Sequence, residues 1–229
     1  MRTIGLLGGM SWESTAIYYR LANELVRARL GGLHSARLLL LSVDFAEIEE
    51  LQSAGRWREA GALLAAEAQR LEAGGADLLV LCTNTMHKVA GAIEEAISIP
   101  LLHLGDATAA AVRSAGLTTV GLLGTDFTMS QGFYRERLES HGLTVLVPTP
   151  EDRALVHRVI YDELCLGVVR EESRAAYVDI VGRLVERGAE GVILGCTEIE
   201  MLIGPDDLEV PSFPTTRIHV ATALDAALD

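Results

Sequence analysis

Short aliphatic runs alternate with longer amphipathic stretches along the whole of this 229-residue chain, the pattern of a parallel sheet flanked by helices. The aliphatic runs predict strands at Thr3–Leu7, Arg37–Val43, Leu78–Cys82, Pro100–Leu102, Val120–Leu123, Thr144–Val147 and Gly191–Leu194. The stretches between them predict helices near Ser14–Leu30, Arg56–Ala73, Met86–Ala96, Ala107–Ala115, Gly132–Ser140, Arg153–Cys165, Ser173–Arg187 and His219–Ala227.

The strand–helix series is written twice. The segment from Gly75 to Thr85 (GADLLVLCTNT) aligns without a gap on Gly188 to Glu198 (GAEGVILGCTE), an offset of 113. Thr3–Gly9 (TIGLLGG) recurs as Thr119–Thr125 (TVGLLGT), an offset of 116. A period near half the chain predicts two related α/β lobes rather than a solenoid, whose repeats are typically about 20 to 50 residues. The fold expected is therefore two pseudo-symmetric lobes, each a parallel sheet flanked by helices, with the active site in the cleft between them. Residues 1–106 form the first lobe, 107–209 the second, and 210–229 return to the first.

Composition narrows the function classes. The net charge of −13, with acids spread along the chain and no basic cluster, repels nucleic-acid backbones and anionic membranes. No apolar run approaches the roughly 20 residues of a membrane span, and the start lacks a signal-peptide pattern, so a cytoplasmic location is expected. Three cysteines in such a chain fit free thiols better than a disulfide framework. The only lysine is Lys88, beside no phosphate-binding loop, which argues against a Schiff-base cofactor. Cys82, His87 and Cys196 lack metal-ligand spacing, so neither metal nor cofactor is expected, and His87 reads as a helix-surface or capping residue.

Ligands of open α/β sheets bind beyond the carboxyl ends of the strands. Those ends carry Gly8-Gly9-Met10-Ser11, Thr83-Asn84-Thr85, Gly124-Thr125 and Cys196-Thr197-Glu198. Successive strand side chains face opposite ways, so Cys82 and Thr83 cannot both enter the crevice. The 113-residue offset sets Thr83, not Cys82, opposite Cys196, and makes Cys82 a small buried hydrophobe. Cys165 reads as packing within a helix. Cys196 stands just before an apolar helical run, whose exposed N–H groups are expected to lower its pKa below the ordinary thiol value of about 8.5. Asn84, Thr85 and Thr197 add polar side chains at the same strand ends.

The segments Thr3–Thr15 (TIGLLGGMSWEST), Ser42–Phe45, Cys82–Lys88 (CTNTMHK), Glu163–Gly167 (ELCLG) and Gly195–Ile199 (GCTEI) resemble the aspartate/glutamate racemase superfamily, and within it the enterobacterial L-aspartate/glutamate-specific amino-acid racemases. The likeness covers almost the whole chain. It implies a cofactor-independent racemase in which a thiolate removes the Cα proton and an acid on the opposite side returns one. The superfamily places a first cysteine directly before Asn-Thr, where this chain has Thr83. The resemblance therefore implies Cys196 as base toward the L-amino acid and Thr83, with water, as donor or relay on the D face. Turnover of the D-substrate should then be slower at saturation. It also implies that Met10, Gln52 and Glu198 line the substrate pocket with Thr83, Asn84, Thr85 and Thr197, that Glu198 assists the thiol, and that the protein is a homodimer.

One departure is Phe213-Pro214-Thr215-Thr216, where the family commonly has Phe-Asp-Thr. Pro214 offers no carboxylate, so the acid's job is lost or moved, and no arginine within a matched motif stands ready for a side-chain carboxylate. Two further readings compete: a single-thiol cofactor-independent decarboxylase of the same superfamily, and a non-catalytic protein that binds acidic amino acids.

Overall fold

The computed structural model describes residues 1–229, which divide into two compact units. The first holds Met1–Leu104 and His219–Asp229, and the second Gly105–Ile218. No helix is long and apolar enough to cross a membrane.

In the first unit, β1 (Ile4–Gly8), β2 (Leu38–Ser42) and β3 (Leu78–Leu81) form a parallel sheet in the order β2-β1-β3. Helices α1 (Trp12–Leu30), α2 (Phe45–Ser53), α3 (Trp57–Ala73) and α4 (Ala90–Glu94) connect and cover it. The pleat sends alternate side chains into two cores. Ile4, Leu6, Leu78, Val80 and Cys82 meet Tyr18 and Val26 of α1, whereas Leu7, Leu79 and Leu81 meet Ile48 of α2, Leu64 of α3 and Ile93 of α4. Each fully buried aliphatic side chain contributes about 1.5–3 kcal/mol, so these faces fix the register of β3.

The second unit runs α5 (Leu104–Ser114), β4 (Thr119–Gly124), α6 (Asp126–Ser130), α7 (Gly132–Ser140), β5 (Thr144–Leu146), α8 (Pro150–Asp162), α9 (Glu171–Glu186), β6 (Gly191–Gly195), α10 (Ile199–Leu202) and β7 (Ser212–Pro214). Leu104, the first residue of α5, is counted with the first unit. The last helix, α11 (Thr215–Leu228), begins here and ends in the first unit, where Val220 and Leu224 join the α1 side of the core. The second sheet is parallel in the order β5-β4-β6-β7, with Val192 and Leu194 packed on Val156 and Ile160 of α8 and Tyr177 and Ile180 of α9.

The internal repeat is written into the strand pairing. Ile4 pairs with Leu78 and Val120 with Gly191, and the two offsets found in the sequence convert the first pair into the second. The fourth strand differs. In the second sheet Val192 pairs with Ser212 of β7, while its counterpart Leu79 makes only an isolated bridge to Leu101. The expected strand Pro100–Leu102 is thus a single bridge, and β7 takes the corresponding place in the second sheet.

Other departures have local causes. The expected helix Met86–Ala96 opens as a 3-10 turn, Thr85–Val89, before α4. The helix expected over Arg153–Cys165 starts at Pro150, where Thr149 caps Asp152 N at 3.3 Å and proline suits the first turn. It stops at Asp162, which leaves Cys165 in a 3-10 turn, Leu164–Leu166, half-buried against the core.

Candidate functional site

Five of the predicted residues lie in the first unit. Met10 follows the turn from β1 into α1, where Gly9 has φ +95° and a Cβ would stand 2.3 Å from Val43 O. Only glycine fits there. Gly9 N donates to Thr15 Oγ1 at 2.8 Å, and Ser11 Oγ caps α1 by accepting from Ser14 N at 3.2 Å. Met10 is buried against the β1–β3 core. Gln52, near the end of α2, is buried and not a solvated helix residue.

Thr83 is half-buried, just past the carboxyl end of β3, and the buried Asn84 and Thr85 follow it. Cys82 has no exposure, sits in the core with Leu78 and Val80, and directs its Sγ to Val80 O at 3.8 Å. Burial drives its thiol pKa far above the ordinary value, so it is not a thiolate at any ordinary pH. Lys88 lies with its Nζ 3.9 Å from the centre of the Trp57 ring, a cation–π contact.

His87 is not the surface residue that its helical context suggested: it is buried. Its Nδ1 is 2.7 Å from Thr83 O, and its Nε2 accepts from Leu104 N at 3.1 Å. The rings of His103 and His219 stand edge-on at 4.6 and 5.9 Å. His219 in turn reaches Tyr18 Oη at 3.1 Å and Leu102 O at 2.7 Å, and burial lowers its pKa to about 4, so it stays neutral near pH 7.

Three residues lie in the second unit. Cys196 is half-buried at the carboxyl end of β6, followed by the buried Thr197 and Glu198. Its Sγ donates to Glu198 Oε2 at 2.9 Å. The expectation of a lowered thiol pKa is overturned. Burial first, then the charge of Glu198 and its hydrogen bond, hold the thiol well above its ordinary range. The backbone N–H of Glu198 acts in the other direction and is outweighed. The helix beyond it, α10, has four residues, too short for a sizeable dipole. Cys196 therefore rests as a thiol facing a carboxylate.

Sequence reasoning passed over Glu200, on the first turn of α10. Its carboxyl accepts from both the backbone N–H and the hydroxyl of Thr216, the second residue of α11, while Oε1 is buried without a partner. Thr216 Oγ1 lies 3.0 Å from Thr197 Oγ1, and Thr215 Oγ1 donates to Leu194 O at 2.9 Å. Burial raises the Glu200 pKa to about 7 against the pull of Thr216 and Arg217, and Glu198 adds to the rise. The signal in the sequence was an acid among apolar residues, Ile199-Glu200-Met201-Leu202, which periodicity alone reads as a solvated helix face.

Residues 7–223 match the model of the family Asp/Glu/Hydantoin racemase. A structure of a candidate Asp/Glu racemase from Yersinia pestis is 53% identical with a TM-score of 0.94, all of each chain being covered. An aspartate racemase homologue from Pyrococcus horikoshii OT3 is 33% identical with a TM-score of 0.89, again over all of both chains. A glutamate racemase of Streptococcus equi subsp. equi is 28% identical over 127 residues, 55% of this chain and 46% of that protein. The chain thus aligns with about half the length of that curated glutamate racemase. Match length, duplicated parallel sheets and whole-chain similarity agree, and the chain belongs to the Asp/Glu/Hydantoin racemase family.

Proposed function

We propose that this protein is a cofactor-independent amino-acid racemase that interconverts L- and D-aspartate or glutamate. Cys196 exchanges the Cα proton on the L face, and Thr83, with water, exchanges it on the D face. The observation that carries this reading is the pair of equivalent strand ends, one bearing a thiol 2.9 Å from the Glu198 carboxylate and the other a threonine, with Cys82 withdrawn into the core.

The chemistry follows from the resting state. A protonated thiol is no base, so Cys196 must first give up its proton, and Glu198 Oε2 is the acceptor already in hydrogen-bond contact. The substrate ammonium, arriving as a positive charge in a poorly solvated place, favours the thiolate and drives this transfer. The sulfur then takes the Cα proton, and the electron pair left behind spreads into the substrate carboxylate. Asn84, Thr85 and Thr197 supply donors fixed in advance for that charge. The Thr83 hydroxyl delivers a proton from the other side and is replenished from water. A threonine hydroxyl does not ionise near neutral pH, so it serves far better as donor than as base. Turnover from the D-enantiomer is consequently slower at saturation, although kcat/KM is equal in the two directions because the enantiomers have equal energy.

The test is incubation with L-aspartate and L-glutamate in D2O, followed by NMR and chiral analysis. The account expects deuterium at Cα together with the D-enantiomer, and loss of both in Cys196→Ser with folding retained. Deuterium uptake and inversion that survive in Cys196→Ser would overturn it. A second reading has one observation in its favour: a thiol that rests protonated is already the acid that a cofactor-independent decarboxylase needs. Release of CO2 from a substituted malonate, with no racemisation of either amino acid, would select that reading. Binding of either amino acid with neither reaction would point to a binding protein.

A further inference from the structure

The 113-residue offset that relates Thr83 to Cys196 also relates His87 to Glu200. Both side chains reach from the turn after equivalent strands, β3 and β6, to the first residues of the next long helix. Leu104 opens α5, and Thr216 is the second residue of α11. We infer that His87 and Glu200 are equivalent positioning residues, each clamping the turn that carries one proton-transfer group to the start of the helix that follows it. The inference rests on the proposed function for the roles of Thr83 and Cys196, and on geometry alone for the clamps.

The histidine clamp has only one chemically consistent form. Leu104 N–H can only donate, so Nε2 must present a lone pair, and the ring proton must sit on Nδ1. Nδ1–H then donates to Thr83 O at 2.7 Å. Thr83 N–H donates to Leu81 O at 2.8 Å, so the main chain of Thr83 is held on both sides. A doubly protonated ring would lose the Leu104 bond and confront an N–H with an N–H. A neutral imidazole supplies one donor and one acceptor across a rigid ring, which suits a clamp between a carbonyl and an N–H.

In the second unit both groups to be held are donors, the N–H and hydroxyl of Thr216, and a carboxyl fits them. The clamp continues through hydroxyls. Thr216 Oγ1 is 3.0 Å from Thr197 Oγ1, and Thr197 directly follows Cys196. Thr216 Oγ1 is the donor in that contact, which links the Glu200 clamp to the residue that follows Cys196. The charged neighbours are Arg217, which favours the carboxylate, and Glu198, which opposes it.

The two clamps are separable because each serves one side of the reaction. Exchange of the Cα proton of an L-substrate with retention needs the Cys196 side alone, whereas inversion needs the Thr83 side as well. In D2O, His87→Ala is expected to lower inversion about ten- to a hundredfold and to leave exchange with retention within about twofold. His87→Asn, which can restore a donor toward Thr83 O, should recover part of the loss. Glu200→Ala should lower exchange and inversion together. Equal loss of both in His87→Ala, or unchanged inversion, would overturn the side-specific role. The clamp is also read without turnover, by 15N NMR of the imidazole in the wild-type protein near pH 7. A proton on Nδ1 alone is expected, and one on Nε2 would overturn the clamp. Wild-type protein that neither exchanges nor inverts would sink the functional reading, and the imidazole spectrum would still decide the clamp.

Discussion

Glu200→Gln should make the protein more stable at alkaline pH and leave it unchanged in mild acid. The Glu200 carboxyl is raised from its ordinary 4.5 to about 7, chiefly by burial. A carboxyl with a raised folded pKa favours folding in its protonated form. That contribution is fully present below the unfolded value of about 4.3 and is lost as pH rises through about 7. At about 1.4 kcal/mol per pH unit the shift corresponds to roughly 3 kcal/mol, and partial access of Glu200 to water reduces what stability registers to about 1–2 kcal/mol. Glutamine is neutral throughout, and its carbonyl can still accept from Thr216. Denaturant or thermal unfolding at pH 5 and pH 8.5 reads the difference. The variant is expected to match the wild type at pH 5 and to exceed it by about 1–2 kcal/mol at pH 8.5. A difference independent of pH, or a variant weaker at pH 8.5 than at pH 5 relative to wild type, would refute the reasoning.

Other outcomes follow from single contacts. Glu198→Gln removes the charge that helps hold up the Cys196 thiol, so alkylation of Cys196 by iodoacetamide near pH 7.5 should speed up; peptide mapping checks it, and a slower rate would contradict the assignment of causes. Cys82 should remain unmodified in the same digest until the protein unfolds. Gly9→Ala forces a Cβ against Val43 O in a backbone conformation that L-residues rarely adopt, and should cost several kcal/mol in chemical denaturation.

The fold was legible because its cores speak in simple periods. Leu78, Val80 and Cys82 alternate with Leu79 and Leu81, and the same alternation recurs at Val192 and Leu194, so register could be carried from one half to the other by counting. Three-residue β7 was invisible because Ser212, Phe213 and Pro214 are too few to carry a strand period, and a single parallel pairing with β6 makes it a strand. The state of Cys196 was misread for a different reason. Sequence shows the residues that follow a thiol but neither its desolvation nor the direction of a carboxylate two residues on, and here both oppose ionisation. Glu200 escaped notice, and His87 was read as a surface or capping residue, because the groups they hold, Thr216 and Leu104 N–H, belong to distant parts of the chain.

The claim on which the rest depends is that a thiol works one side of the Cα proton and an alcohol the other. Thr83→Cys tests it most directly, through kcat for the D-enantiomer of aspartate or glutamate measured beside the wild type. The account predicts a clear rise in D-substrate kcat, with the L-substrate value changed far less. An unchanged or lower D-substrate kcat in a folded Thr83→Cys protein would contradict it.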